Sequence, residues 1–345
     1  MGAPLPESNK LHRFVNCHNV SESYVTAYQR HTPYDRRTPM AIRYALNDSP
    51  HIFDLTLIQA DNYGLEDDRV VGLGGNDVIL TGAGNDHLEG SGGDNHYWDG
   101  DGNDTVLGGS GKDFVHVDAG NDLYFGEGGT DRLSFGSMHF GFKGSYKDVL
   151  QGVTVDLSLT SGQDLGEFGI DRFLGFEDVV GTYGNDTFFG TNGLNVLNGN
   201  EGNDILYGRG GNDVIDGDIG ADTLVGGLGS DDIVLGGLGS PDSFRDLVRY
   251  ESLKDSGTTA ATRDGIILFK HGQDKIDLSK LDANLGLKGN QAFKVVKGFT
   301  KAFGEVKLVY SGLDTIVQVD GDKDKAVDMT FRVVGAHLTK GDFIL

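Results

Sequence analysis

TGAGNDHLE (81–89) and DGDGNDTVL (99–107) in one part of the chain, and GNEGNDILY (199–207) and GRGGNDVID (208–216) in another, follow one nine-residue pattern. The pattern is G-G-x-G-x-D-x-U-x, with U a large apolar residue. Working outward, residues 63–134 divide without gaps into eight such units and residues 181–234 into six. Position four is glycine in every unit except the first, where Glu66 stands. Position six is Asp68, Asp77, Asp86, Asn95, Asp104, Asp113, Asp122 and Asp131, then Asp186, Asn195, Asp204, Asp213, Asp222 and Asp231. Position eight is apolar throughout: Val70, Ile79, Leu88, Tyr97, Val106, Val115, Tyr124 and Leu133, then Phe188, Leu197, Leu206, Ile215, Leu224 and Ile233.

Each column has a physical reason. Glycines permit positive φ and close backbone approach, so positions one to six make a tight turn whose carbonyl oxygens converge. Positions seven to nine make a short strand, and its alternation sends only the position-eight side chain inward. One unit cannot bury that face alone; stacked units can. The expected fold is therefore all-β: two parallel β-rolls, right-handed β-solenoids of nonapeptides, joined by a spacer and closed by a C-terminal β-rich cap. Successive turns fall on opposite edges, so Asp68, Asp86, Asp104 and Asp122 line one edge of the first roll and Asp77, Asn95, Asp113 and Asp131 the other. In the second roll Asp186, Asp204 and Asp222 face away from Asn195, Asp213 and Asp231.

Such columns need cations. The chain has 345 residues, 55 Gly, 52 Asp+Glu and a net charge of -23. Carboxylates about 5 Å apart along an edge would repel without an ion between them. Hydrophobic content of 37% with 19 Phe and 12 Tyr argues against disorder. An all-oxygen donor set points to multiple Ca2+ ions. Candidate ligands are the position-six aspartates together with turn residues Gly72, Gly74, Gly82, Gly90, Gly92, Gly108, Gly199, Gly208, Gly210, Gly217, Asn76, Asn85, Asn103, Asn203 and Asn212. Asn95 and Asn195 each remove a charge, so calcium is expected to be weaker there, with Asp94 compensating beside the first.

Fourteen units in one register resemble the haemolysin-type calcium-binding repeats of RTX (repeats-in-toxin) proteins. That resemblance implies synthesis in a calcium-poor cytosol, export through the type I (ABC transporter) machinery, and folding on calcium outside the cell. Residues from about Asp264 to Leu345 resemble the C-terminal module of serralysin-type metalloproteases. The likeness is clearest in GQDKIDLSKLDAN (272–284), GEVKLVYSGLDTIVQVDGDKDKAVD (304–328) and the terminal GDFIL. Asp342, Phe343, Ile344 and Leu345 resemble the acidic-plus-apolar ending that type I exporters read in that family; a last strand closing a sheet is the plainer reading, and the two are compatible. Asp320, Asp322, Asp324 and Asp328 mimic part of an EF-hand loop, yet Lys325 replaces its glycine and Phe331 its bidentate glutamate, so an acidic hairpin is expected.

The domain reading is 1–62 as an N-terminal cap segment, 63–134 as the first roll, 135–180 as the spacer, 181–240 as the second roll and 241–345 as the secretion module. In the spacer, Val153, Val155 and Leu157 alternate as one strand should. Residues 1–60 hold five of the six prolines and none of the repeats, and are too short for a core of their own. His12, His18 and His31 with Cys17 match no zinc spacing. H-E-x-x-H and G-x-S-x-G occur nowhere. His87, His96 and His116 sit at outward strand positions, where a solvated role is expected. One cysteine allows no internal disulfide, no apolar run spans a membrane, and the charge excludes nucleic acid.

Two functional readings remain. One is a secreted, non-catalytic calcium-binding protein with an extracellular or cell-surface role toward a surface, polysaccharide or host partner; the methionine start and the short unrelated N-terminal segment favour it. The other is the export and folding module of a secreted enzyme, a metalloprotease, lipase or polysaccharide-modifying protein, whose catalytic domain is absent; the serralysin-like ending favours it. Position seven runs Arg69, Val78, His87, His96, Thr105, Phe114, Leu123, Arg132, which makes no regular ligand-binding ladder.

Overall fold

The computed structural model describes residues 67–72, 74–136, 150–237, 243–282 and 291–345, and the backbone of three earlier strands, Thr26–Tyr28, Arg43–Ala45 and Ile52–Asp54. Among the described residues every long element is a strand and the helical pieces are two 3-10 turns. Strands at an 18-residue offset pair in parallel, as Val106 with Tyr124 and Leu206 with Leu224. One coil is therefore two nonapeptides, and the all-β parallel-roll expectation holds.

All fourteen position-eight side chains are 0% exposed. Each contributes about 1.5–3 kcal/mol of apolar burial, and removing one to alanine leaves a cavity as well. Several strands run longer than three residues. Thr105–Gly111 and Leu123–Gly129 continue into the next turn because Glu127 and Gly128 pair with Gly109 and Ser110.

Among the described residues three sheets result, and they are shared unequally. An eight-stranded sheet forms one wall of the first roll, from Thr26–Tyr28 to Gln163–Asp164, and a seven-stranded sheet one wall of the second, from Thr154–Asp156 to Phe343–Ile344. The opposite wall of both rolls is a single fourteen-stranded sheet. Asp178–Val180 is its joint: the strand pairs with Arg132–Ser134 of the first roll on one side and Val196–Asn198 of the second on the other. The spacer is thus built into the coil. Ile170–Leu174 stacks on Leu123–Gly129, and Thr154–Asp156 starts the second roll's own wall by pairing with Thr187–Phe189. Val153, Val155 and Leu157 are buried and Thr154 is exposed, as the alternation predicts.

At the N-terminal end Arg43–Ala45 and Ile52–Asp54 extend two of the ladders in parallel. The remainder of the expected cap, with His12, Cys17, His18 and His31, lies outside the described residues. At the other end the shared sheet turns antiparallel through Glu305–Ser311, Asp314–Asp320 and Met329–Val333. His116 departs from expectation. It is buried against Trp98 at 6.2 Å, and burial lowers its pKa to about 4, so it is neutral near pH 7.

Candidate metal sites

Every position-six side chain is buried, and most serve one purpose first: Oδ1 accepts the backbone N–H of the residue one coil earlier. Asp86 Oδ1 takes the Asp68 amide at 2.7 Å, Asp104 that of Asp86 at 2.5 Å, and Asp122 that of Asp104 at 2.7 Å. On the other edge Asn95, Asp113 and Asp131 do the same for Asp77, Asn95 and Asp113. In the second roll Asp204 and Asp222 take the amides of Asp186 and Asp204, while Asp213 and Asp231 take those of Asn195 and Asp213.

The second oxygen is where the rungs differ. In Asp86, Asp104, Asp113, Asp131, Asp204, Asp213 and Asp231 it is buried with no hydrogen-bond partner. A buried carboxylate oxygen left so is costly unless something charged answers it. Burial, reinforced at Asp104 by Asp86, Asp122 and Asp118, raises the carboxyl pKa to about 8 in Asp104 and Asp204 and to about 7 in Asp131 and Asp213. Position-one glycine is needed at the same place. A Cβ on Gly108 would lie 2.6 Å from Asp113 Oδ2 and 2.8 Å from the Gly126 carbonyl oxygen, so carboxylate and carbonyl oxygens face one spot. Position four needs glycine for its backbone: Gly111 has φ 137°, and a Cβ there would strike the Gly93 carbonyl.

Three rungs are closed by the protein itself, and a fourth only in part. Thr182 donates its amide to Asp186 Oδ2 at 2.7 Å and its hydroxyl to the same carboxylate. Thr191 donates to Asn195 Oδ1 at 2.7 Å while Asn195 Nδ2 donates to the Glu177 carbonyl at 2.7 Å. At Asp122 closure is partial, because the Tyr124 hydroxyl donates to Oδ2 at 3.2 Å and is shared with the neighbouring Asp99 carboxylate. At Asn95 the Tyr97 hydroxyl donates to the Gly108 carbonyl at 3.0 Å, and Asn95 Nδ2 to the Gly93 carbonyl at 3.1 Å.

The predicted turn residues separate into two groups. Gly72, Gly108, Gly199, Gly208 and Gly217 lie against the position-six carboxylate of their own unit, and Gly90 against Tyr97 and Asn95. Gly92 and Gly210 face no carboxylate, and Gly74 and Gly82 lie further along their turns. The side chains of Asn76, Asn85, Asn103, Asn203 and Asn212 are exposed. Their oxygens accept the amides of Asp94, Asn103, Asn121, Ala221 and Ser230, an outer ladder beside the carboxylate column.

The columns also run on through residues outside the nonapeptide blocks. Asp171 accepts the Asp122 amide and Glu177 the Asp131 amide, while Asp246, Asp264 and Asp274 accept those of Asp222, Asp231 and Asp246. GEFGIDRFL (166–174) carries the signal for Asp171, with glycine, aspartate and phenylalanine at positions four, six and eight. Glu177 comes from a shortened turn, where one extra methylene lets it reach.

Two C-terminal features complete the set. The Asp320, Asp322 and Asp328 carboxylates gather, but Asp320 and Asp328 accept the amides of Asp322, Lys323, Lys325 and Gly321, as in a self-satisfied acidic hairpin. Asp342 is buried and accepts the Thr339 amide and hydroxyl, the Gly272 amide and a contact from His271 Nδ1 at 2.8 Å. Phe343–Ile344 then pairs with Lys275–Asp277 as the final strand. No helix among the described residues is long and apolar enough to cross a membrane.

Known proteins share parts of this chain. Serralysin of Photorhabdus sp. (strain Az29) is 39% identical over 106 residues, which is 29% of this chain and 20% of that protein. The match thus spans only about a fifth of that relative's length. Among solved structures, the AlgE6R3 subunit of the Azotobacter vinelandii mannuronan C5-epimerase is 25% identical, covering 47% of this chain and 78% of that one, with a TM-score of 0.23. The AlgE6R2 subunit of the same enzyme is 18% identical, covering 57% and 93%, with a TM-score of 0.26. The family model described as peptidase M10 serralysin C terminal matches residues 68–345, which contain the closing strands and all but the first five residues of the repeat blocks, and the chain belongs to that family.

Proposed function

We propose that this chain is a secreted, non-catalytic calcium-binding RTX protein that leaves the cell through a type I (ABC transporter) channel and folds when it meets calcium outside. The observation that carries the reading is the row of buried second oxygens on Asp86, Asp104, Asp113, Asp131, Asp204, Asp213 and Asp231, which have no hydrogen-bond partner. Those oxygens and the facing glycine carbonyls fit a hard cation with oxygen ligands, and no histidine or thiol joins them. The position-six aspartates would hold the ions with the carbonyls of position-one glycines such as Gly126, supplying positive charge that a chain of net charge -23 lacks. Asn95 and Asn195, closed by neutral hydrogen bonds, would hold none. Affinities belong to the extracellular class, with dissociation constants on the order of 10⁻⁴ to 10⁻³ M. Cytosolic calcium is then too scarce to fold the chain before export, and binding outside supplies folding free energy. Asp342 to Leu345 would be read by the exporter in the unfolded chain and then become the last strand.

The test is far-UV circular dichroism during a calcium titration from chelator to about 10 mM, with magnesium as control. A cooperative, calcium-specific gain of β-structure is expected; full β-structure in excess chelator at pH 8 would overturn the reading. The match to serralysin favours a second reading, in which the same calcium-dependent module serves the export and folding of a secreted enzyme. An open reading frame continuing upstream of Met1 into a catalytic domain would decide for it.

A further inference from the structure

Asp99 occupies position one of its unit, where glycine stands in Gly72, Gly90, Gly108 and Gly126. It is 0% exposed, and neither carboxylate oxygen has a hydrogen-bond partner. One coil away on either side the equivalent residues are Thr81 and Val117, both buried. The Thr81 hydroxyl donates to the Asp99 backbone carbonyl at 2.9 Å, not to its carboxylate, and Val117 has no polar side-chain atom. The Tyr124 hydroxyl eases the Asp99 charge, but it has one hydrogen, which it also offers to Asp122 Oδ2 at 3.2 Å, so it closes neither carboxylate. What does surround Asp99 is more negative charge. Burial first, then Asp118, Asp104 and Asp122, drive its pKa well above the usual range.

One oxygen from each of Asp99, Asp104 and Asp122 lies within 4.8 Å of the others, and all three residues are buried. Oxygens bound to one calcium at 2.3–2.6 Å can be no more than about 5 Å apart, so the three fit a single coordination shell. We propose that Asp99, Asp104 and Asp122 form a three-carboxylate cation site, the tightest on the first roll and the first to fill. The inference rests on the calcium reading above and adds to it a ligand that the repeat pattern does not supply. Other position-one residues bring no charged oxygen to that corner; Asp99 adds a carboxylate, and affinity rises with ligand charge. Because the extra charge is useless without an ion, this rung is also the one that most opposes folding of the ion-free chain.

The chain carries its own reporter. Its single tryptophan, Trp98, precedes Asp99, so a luminescent trivalent lanthanide bound there is excited through the indole. The full chain is titrated with terbium, read by emission on tryptophan excitation, and in parallel with calcium, read by circular dichroism, for the native sequence, Asp99→Asn and Asp99→Gly. Terbium emission is expected to saturate near the first equivalent in the native chain. Both variants should shift its midpoint upward by about tenfold or more, while the calcium-driven β transition remains complete. Unchanged first-equivalent emission in both variants, with the calcium transition intact, overturns the Asp99 site and leaves the calcium reading standing. Absence of a calcium transition in the native chain overturns the calcium reading itself. Should Asp99→Asn fail to fold at high calcium, Asp99→Gly, which restores the residue of the neighbouring units, decides between the outcomes, and failure of both to fold counts against a role confined to ion binding.

Discussion

Asp204 and Asn195 occupy the same position in successive units of the second roll, both buried, on opposite edges. Each accepts or donates within the same turn geometry, yet they end differently. Asn195 is finished: Thr191 answers its oxygen and the Glu177 carbonyl its amide. Asp204 spends Oδ1 on the Asp186 amide and leaves Oδ2 buried without a partner. The backbone of a rung is therefore indifferent to metal, and the side chains at positions two, six and eight decide whether the rung is closed by neutral hydrogen bonds or awaits a cation. Calcium dependence is a property of individual rungs, summed along the coil.

The contrast between these rungs breaks first at Asp204. Asp204→Ala removes both the acceptor for the Asp186 amide and the charged oxygen, so it is expected to cost about 3 kcal/mol in calcium and to raise the calcium midpoint several-fold. Denaturant unfolding at fixed calcium measures it, and an effect no larger than that of Asn195→Ala would erase the distinction between the rungs. Protons offer a second route to closing an open rung. A buried carboxyl with a raised pKa stabilises the fold while protonated; that contribution is fully present below the unfolded value near 4 and is lost as pH rises through about 7 for Asp131 and Asp213 and about 8 for Asp104 and Asp204. In excess chelator, β-structure should thus be greater at pH 5 than at pH 8, and the opposite order in circular dichroism would contradict the assignment.

How much of this could be read from the residues alone follows the same division. The period of nine, the position-six carboxylates and the position-eight core were legible because each is a repeated covalent fact: Leu206 is buried for the same reason as Leu224. The columns beyond the blocks were not, because Asp264 meets Asp231 across 33 residues and Asp246 meets Asp222 across 24, intervals set by how the intervening chain folds away. Nor could the closed rungs be told from the open ones. Thr182 and Thr191 read as ordinary turn residues until their hydroxyls are seen to face position six. Asp94, named as compensating for Asn95, is instead exposed, with its carboxylate accepting the Lys112 amide in the outer ladder.

Asn195→Asp sharpens the contrast in reverse. It converts a closed rung into a charged one facing the Glu177 carbonyl, and is expected to destabilise the chelated chain by about 1–3 kcal/mol while making the calcium transition steeper. An unchanged calcium dependence in circular dichroism would mean that Thr191 closes either side chain equally. The smallest effect belongs to the outer ladder. Asn103→Ala removes exposed hydrogen bonds to the Asn121 amide and side chain, so about 1 kcal/mol or less of stability should go, with no shift of the calcium midpoint. A large shift there would place ligands on the exposed side of the turn.

Repetition carries a hazard of its own, because a coil docked one layer out of step would still find apolar partners for its core and acceptors for its amides. The unit at 175–180 spans six residues where its neighbours span nine, and Glu177 in its short turn is matched to it in length. Only one alignment sets that short turn and longer acid against Asp131, with Phe176 enclosed behind them. The irregular joint between the rolls thereby acts as an index mark, giving an otherwise translationally ambiguous ladder a single countable origin.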